Sequence, residues 1–130
     1  MKHLIRLFVS LLVPAFMLAG VAASPAMAQD KAHKATTTVK VLHEDDRVRV
    51  TETTTKPGEI SANVVRGLRV VRILQGGTQE RTYADGKKEK VERKTGEVFV
   101  AGPDKQAYFV TNIGKTTIVG YGVTIKQAKK

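Results

Sequence analysis

The 130-residue sequence contains no cysteine, which removes disulfides, a lipid-bearing cysteine anchor and a thiol nucleophile at once. Histidine is nearly absent: of three in the chain, His3 lies in the N-terminal segment, leaving His33 and His43 for everything that follows. No G-x-S-x-G elbow, P-loop or H-E-x-x-H pattern occurs, so the common nucleophile, nucleotide and zinc-protease signatures are excluded. Beyond the first 28 residues no stretch repeats with helical period. Acid is also in deficit, with 12 Asp and Glu against 22 Lys and Arg, a formal net charge of +10.

The one long apolar run spans Leu7 to Ala23. It follows Lys2, His3 and Arg6 and leads to Ala26-Met27-Ala28, the layout of a secretory signal with an A-x-A cleavage site. Ser10, Pro14 and Gly20 interrupt it, and it is short for a membrane span. Residues 1–28 are therefore expected to be removed by cleavage after Ala28, sending the chain to the periplasm or beyond without stable membrane insertion. No twin arginine marks the folded-protein export route. Without Lys2 and Arg6 the chain keeps 20 basic against 12 acidic side chains. For an exported protein, such charge favours envelope polyanions or acidic small molecules over nucleic acid.

What remains suits one domain. Residues 29–38 are polar and threonine-ended, a flexible leader; 39–126 form the domain, and 127–130 a basic tail. Within the domain, short β-branched runs alternate with turn residues. Strands are expected over 37–42, 47–55, 60–65 (weakly), 68–74, 79–84, 87–93, 97–101, 106–111 and 116–125. In the second, Val48 and Val50 share one face and Arg47, Arg49, Thr51 and Thr53 the other, which reads as a half-buried strand with a wet outer side. Asp85-Gly86 supplies a two-residue hairpin turn. The return strand, with Lys87, Lys88, Lys90, Arg93 and Lys94, reads as an exposed, charge-protected edge. So many short strands without helices mean a sandwich or closed barrel.

The frame from Gly58 to Gly77 reads G-x5-Val64-x-Arg66-x3-Val70-x6-Gly. Together with the Val41 to Val50 opening, Lys56-Pro57-Gly58, the strand Arg69 to Gln75, Thr82 to Lys87, Lys94 to Val100 and Asn112 to Thr116, it resembles the cupins. That resemblance spans roughly Val41 to Ile125 and implies an all-β, double-stranded β-helix (jelly-roll barrel). It also implies a centre of three histidines and a glutamate holding a divalent metal. Here those positions carry Val64, Arg66 and Val70, with Ala107 or Tyr108 at the fourth. Valine and alanine have no donor atom, and a guanidinium repels a cation. The expectation is a barrel with neither metal nor other cofactor.

Strand alternation places Val64, Arg66, Leu68, Val70, Arg72 and Leu74 on one face unless the chain bends near Gly67. An apolar lining with arginines fits an anionic, partly apolar ligand, with Arg66 as clamp and Arg72 or Tyr108 assisting. The plainer alternative is that the valines fill the barrel and the arginine heads reach solvent at its rim. Phe99, Tyr108 and Phe109 read as core or cavity lining. Glu52, Glu59, Glu97 and Asp104 could serve acid-base chemistry, but read as surface charge balance. Glu44-Asp45-Asp46 lacks the spacing of a calcium loop. Three function classes stay open: a binding module for a small anion, an interaction protein docking through the basic hairpin, and a metal-independent isomerase or lyase. The resemblance further implies pairing as a homodimer through a barrel face or by exchange of the N-terminal strand.

Overall fold

A computed structural model describes residues 34–128. The expected signal segment, its cleavage point, residues 29–33 of the leader, and Lys129 and Lys130 fall outside that range. Eight strands make up the regular structure of the described residues: β1 (Thr38–Glu44), β2 (Val48–Thr55), β3 (Arg69–Gln75), β4 (Gly77–Tyr83), β5 (Lys88–Arg93), β6 (Val98–Ala101), β7 (Tyr108–Asn112) and β8 (Ile118–Ile125). All pair antiparallel, in a five-stranded sheet of order β1-β2-β8-β3-β6 and a three-stranded sheet of order β5-β4-β7. The last strand lies between the second and third, so the chain closes on itself as a jelly roll.

Turns come from the residues able to make them. Gly86 has φ +84° and donates its N–H to the Tyr83 carbonyl. Tyr83 N–H reaches Lys87 O, and Asp85 Oδ1 accepts from Lys87 N–H. The hairpin therefore closes around three residues, 84–86, rather than the expected two, a turn finished by one left-handed glycine. Gly102 (φ +78°) is confined further, since a Cβ there would sit 2.6 Å from Gly67 O. The Asp104 N–H bond to Arg66 O, 2.9 Å, holds the 102–105 loop against the bend at residues 66–68.

Three expectations about strands are corrected. Residues 60–65 make only two isolated bridges, Ile60 to Thr111 and Val64 to Tyr108. Thr36 and Thr37, expected in the leader, both donate backbone N–H to Ile60 O, and Thr36 Oγ1 accepts from Ile60 N–H. The third correction is one of facing. Thr51, Thr53 and Thr55 of β2 point into the barrel while Val48 and Val50 point out, the reverse of the wet-outside reading. On β3 the inward residues are Arg69, Val71 and Ile73, so Val70, Arg72 and Leu74 point out. The bend near Gly67 breaks the alternation between Arg66 and β3.

The dry core is small. Among the described residues only Ile73, Tyr108, Ile118 and Asn112 are buried, Asn112 completely. Asn112 Nδ2 donates to Thr55 O and Thr116 O, both at 2.8 Å, and its Oδ1 accepts from Gly114 N–H. One amide thus ties the end of β7 to the end of β2 and to the loop leading into β8, with every polar atom satisfied.

Candidate functional site

The interior space originates on β8. Gly120 lies between Thr53 and Ile73, and Gly122 between Thr51 and Val71, in the register of the five-stranded sheet. Two successive inward positions on the central strand therefore carry no side chain. Two cavities adjoin it: an arginine-lined one of about 190 Å³, termed the inner chamber, and a second of about 600 Å³, termed the outer chamber. They share Thr53, Ser61, Arg66, Arg69, Val71 and Gly120 as a common wall.

Four arginines enter the inner chamber from four places: Arg66 from the bend, Arg69 from β3, Arg81 from β4 and Arg93 from β5. Three of them meet at Tyr108. The Arg66 guanidinium lies 4.4 Å from the centre of its ring and that of Arg81 5.1 Å, while Arg69 Nη2 donates to the phenol oxygen at 3.0 Å. Cations over an aromatic face are held by the ring quadrupole. Arg93 stacks on Phe99 instead, at 3.9 Å.

Their anionic partners are few and uneven. Asp104 pairs with Arg69 (Oδ2 to Nη1, 3.3 Å), and Glu97 with Arg93 (Oε1 to Nη1, 3.3 Å). Both carboxylates read as surface charge balance in the sequence; they do balance arginines, as half-buried counter-ions already engaged. Arg81 has only the half-exposed Glu89 at 3.7 Å. Its Nε is the single buried side-chain nitrogen or oxygen among the described residues with no hydrogen-bond partner. Among the described residues the Arg66 guanidinium has no ion pair, although its backbone N–H donates to Asp104 Oδ2 at 3.3 Å. It donates through Nη1 to Val64 O and Tyr108 O and through Nη2 to Ser61 Oγ and Ala62 O. Burial foremost lowers the pKa of Arg66; Arg69 and Arg81 push the same way, against opposing contributions from Tyr108 and Asp104. Arg93 is also lowered, first by burial and then in part by Arg81, against the pull of Glu97. A guanidinium keeps its proton in a protein. The shifts therefore register chiefly desolvation of the guanidiniums, with like-charge repulsion a smaller part that an anion would relieve.

Of the residues singled out in the sequence, Arg66 and Tyr108 meet at the site. Val64 sits at the rim of the outer chamber, half exposed. Val70 and Arg72 lie on the outer face, where Val70 faces Val100 and Val123, and Arg72 faces Val98 and Tyr121. Phe99 lines the inner chamber as expected. Phe109, one place along from Tyr108, points the other way by strand alternation. Arg93, expected on the exposed hairpin, is turned inward with a tenth of its side chain accessible. Arg69, Arg81 and Arg93 are the residues that sequence reasoning missed. Their signal was present as strand parity: positions 69, 81 and 93 face inward once the polar side of β2 is assigned to the interior.

The site does not fit the metal that the sequence resemblance implied. No group of three His, Cys, Asp or Glu side chains that could hold one occurs among the described residues. The groups converging here are guanidiniums and hydroxyls, which suit an anion.

No protein-family model and no curated protein matches this sequence. Solved structures do match. A cupin domain from Bordetella pertussis superposes with a TM-score of 0.64 at 21% identity, over 72% of this chain and 97% of that one. An RmlC-like cupin with a double-stranded β-helix from Methanocaldococcus jannaschii gives 0.55 at 16%, over 71% and 82%. A polyketide cyclase from Streptomyces resistomycificus gives 0.52 at 20%, over 70% and 66%. At these identities the similarity establishes the fold, the cupin double-stranded β-helix, and nothing finer.

Proposed function

We propose that this chain is an exported, cupin-fold binding module that takes a small anion into the inner chamber of its barrel. The convergence of Arg66, Arg69 and Arg81 on Tyr108, with Arg81 Nε buried and unpartnered, carries the reading. Arg81 is the ligand-facing cation and Arg69 its neighbour, oriented by Asp104 and the Tyr108 hydroxyl. Arg66 builds the wall, because its donors are spent on the chain itself. A guanidinium with free N–H groups in a partly desolvated site binds carboxylate or phosphate through charge-assisted hydrogen bonds. The two carboxylates nearest the chamber, Asp104 and Glu97, are tied to arginines, which favours binding over acid-base chemistry.

The test is thermal unfolding of the mature chain in sodium phosphate or sodium acetate, with sodium chloride at matched ionic strength as reference. A ligand at about a hundred times its Kd stabilises by about 2.7 kcal/mol, a shift of roughly 10 °C or more for a domain of this size. A saturable shift is expected for the wild type and for the surface variant Lys88→Glu/Lys90→Glu. Arg81→Gln should abolish it. Equal responses from wild type and Arg81→Gln would overturn the proposal.

A further inference from the structure

The two chambers share a wall but differ in chemistry. In the inner one, guanidiniums surround Tyr108 and Phe99. The outer one is faced by Val39, Val64, Val65 and Val71, by threonine hydroxyls, and by the bare backbone of Gly120 and Gly122. Its only cations away from the shared wall come from Arg49, which is drawn aside by Glu44 at 3.7 Å. An inorganic anion would use none of that valine surface. The outer chamber alone has the size of an organic-ligand pocket, roughly 300–1,000 Å³.

Resting on the anion-binding reading above, we infer that the ligand is amphipathic: a carboxylate-type head group at Arg81 and Arg69, joined to an uncharged apolar body that lies along Val71 and β8 in the outer chamber. The glycines set its path. A Cβ on Gly122 would meet Thr51 Oγ1 at 3.6 Å and Val71 at 4.0 Å, and one on Gly120 would meet Val71 and Ile73 at 3.9–4.0 Å. These are ordinary contacts, so the missing side chains leave usable volume rather than relieve a clash. Thr53, Val71 and Gly120 line both chambers, so a body continuing from a head among the arginines would run past them. Val39 and Val65, at 53% and 58% exposure, then gain an apolar partner.

Calorimetric titration of the mature chain with the sodium salts of butanoate, hexanoate and octanoate, alongside inorganic phosphate, tests this. Affinity should rise about three- to fourfold per added methylene, as burial of each CH₂ gives. Phosphate should bind without needing the outer chamber. Gly122→Leu narrows that chamber where the body would lie along β8: it should weaken the chain-length dependence and leave phosphate binding within twofold. Should Gly122→Leu fail to fold, Val39→Asp places a carboxylate in the same chamber at an exposed position and should weaken octanoate more than tenfold relative to phosphate. Equal affinity across the three carboxylates, with phosphate still bound, would overturn the amphipathic inference and leave the anion site standing. Absence of binding by all four probes would remove both.

Discussion

Arg66 and Arg81 approach the same tyrosine ring, yet they do different work, and their hydrogen bonds tell them apart. Arg66 satisfies four acceptors from residues 61, 62, 64 and 108; Arg81 leaves its Nε without one. Arg66→Gln should therefore strand several acceptors and cost about 2–4 kcal/mol in urea unfolding. Arg66→Lys should not rescue it, because one ammonium cannot reach acceptors arranged for a planar fork. Arg81→Gln removes a poorly compensated cation, so its unliganded stability should stay within about 0.5 kcal/mol of wild type or rise. A large loss from Arg81→Gln, with none from Arg66→Gln, would exchange the two roles. Arg66 could be picked out from the Gly58 to Gly77 frame, but its role could not. Three of its four acceptors are carbonyls, of an irregular loop and of a strand 42 residues away, and carbonyls carry no sequence signature.

At the level of elements, the strands were legible because β-branched runs and turn residues mark them whichever way they face. Facing was the error. The usual assumption that the apolar side of a strand is the inside put Val48 and Val50 inward and Thr51 and Thr53 outward. A barrel with a polar interior reverses that, and the reversal carried over to the arginines. The β1–β2 turn shows a local device that burial patterns do not report. Asp45 Oδ1 accepts from the N–H groups of Arg47 and Val48, both at 2.8 Å. Those backbone bonds, chiefly the one from Val48, draw its pKa down to about 2 against partial opposition from desolvation. A depressed carboxylate stabilises the fold above its unfolded pKa, near 4, and loses that contribution as pH falls toward 2. The amide resonances of Arg47 and Val48 should accordingly titrate with a midpoint near pH 2 and stay in place in Asp45→Asn, whose side-chain oxygen still accepts. A midpoint near 4 would show that the turn does not hold the carboxylate.

Across the whole molecule, charge and apolar surface have partly changed places. Val98 and Val100 on edge strand β6 are 61% and 68% exposed, while four arginines converge inside. The excess of base is thus divided between two populations that salt should separate. Lys87, Lys90 and Lys94 lie exposed on and beside the β4–β5 hairpin, where their repulsion is screened over about 10 Å at 0.1 M salt. Arg69, Arg81 and Arg93, with a tenth to a fifth of their side chains accessible, respond chiefly to an anion that binds among them. Sodium chloride should raise the unfolding midpoint gradually in both wild type and Arg81→Gln. A triple variant, Lys87→Gln/Lys90→Gln/Lys94→Gln, should show a weaker chloride dependence and an unchanged saturable response to phosphate. If the triple variant lost the phosphate response instead, the anion would be binding at the hairpin surface, and the basic strand that first suggested an interaction protein would have to be taken as the site.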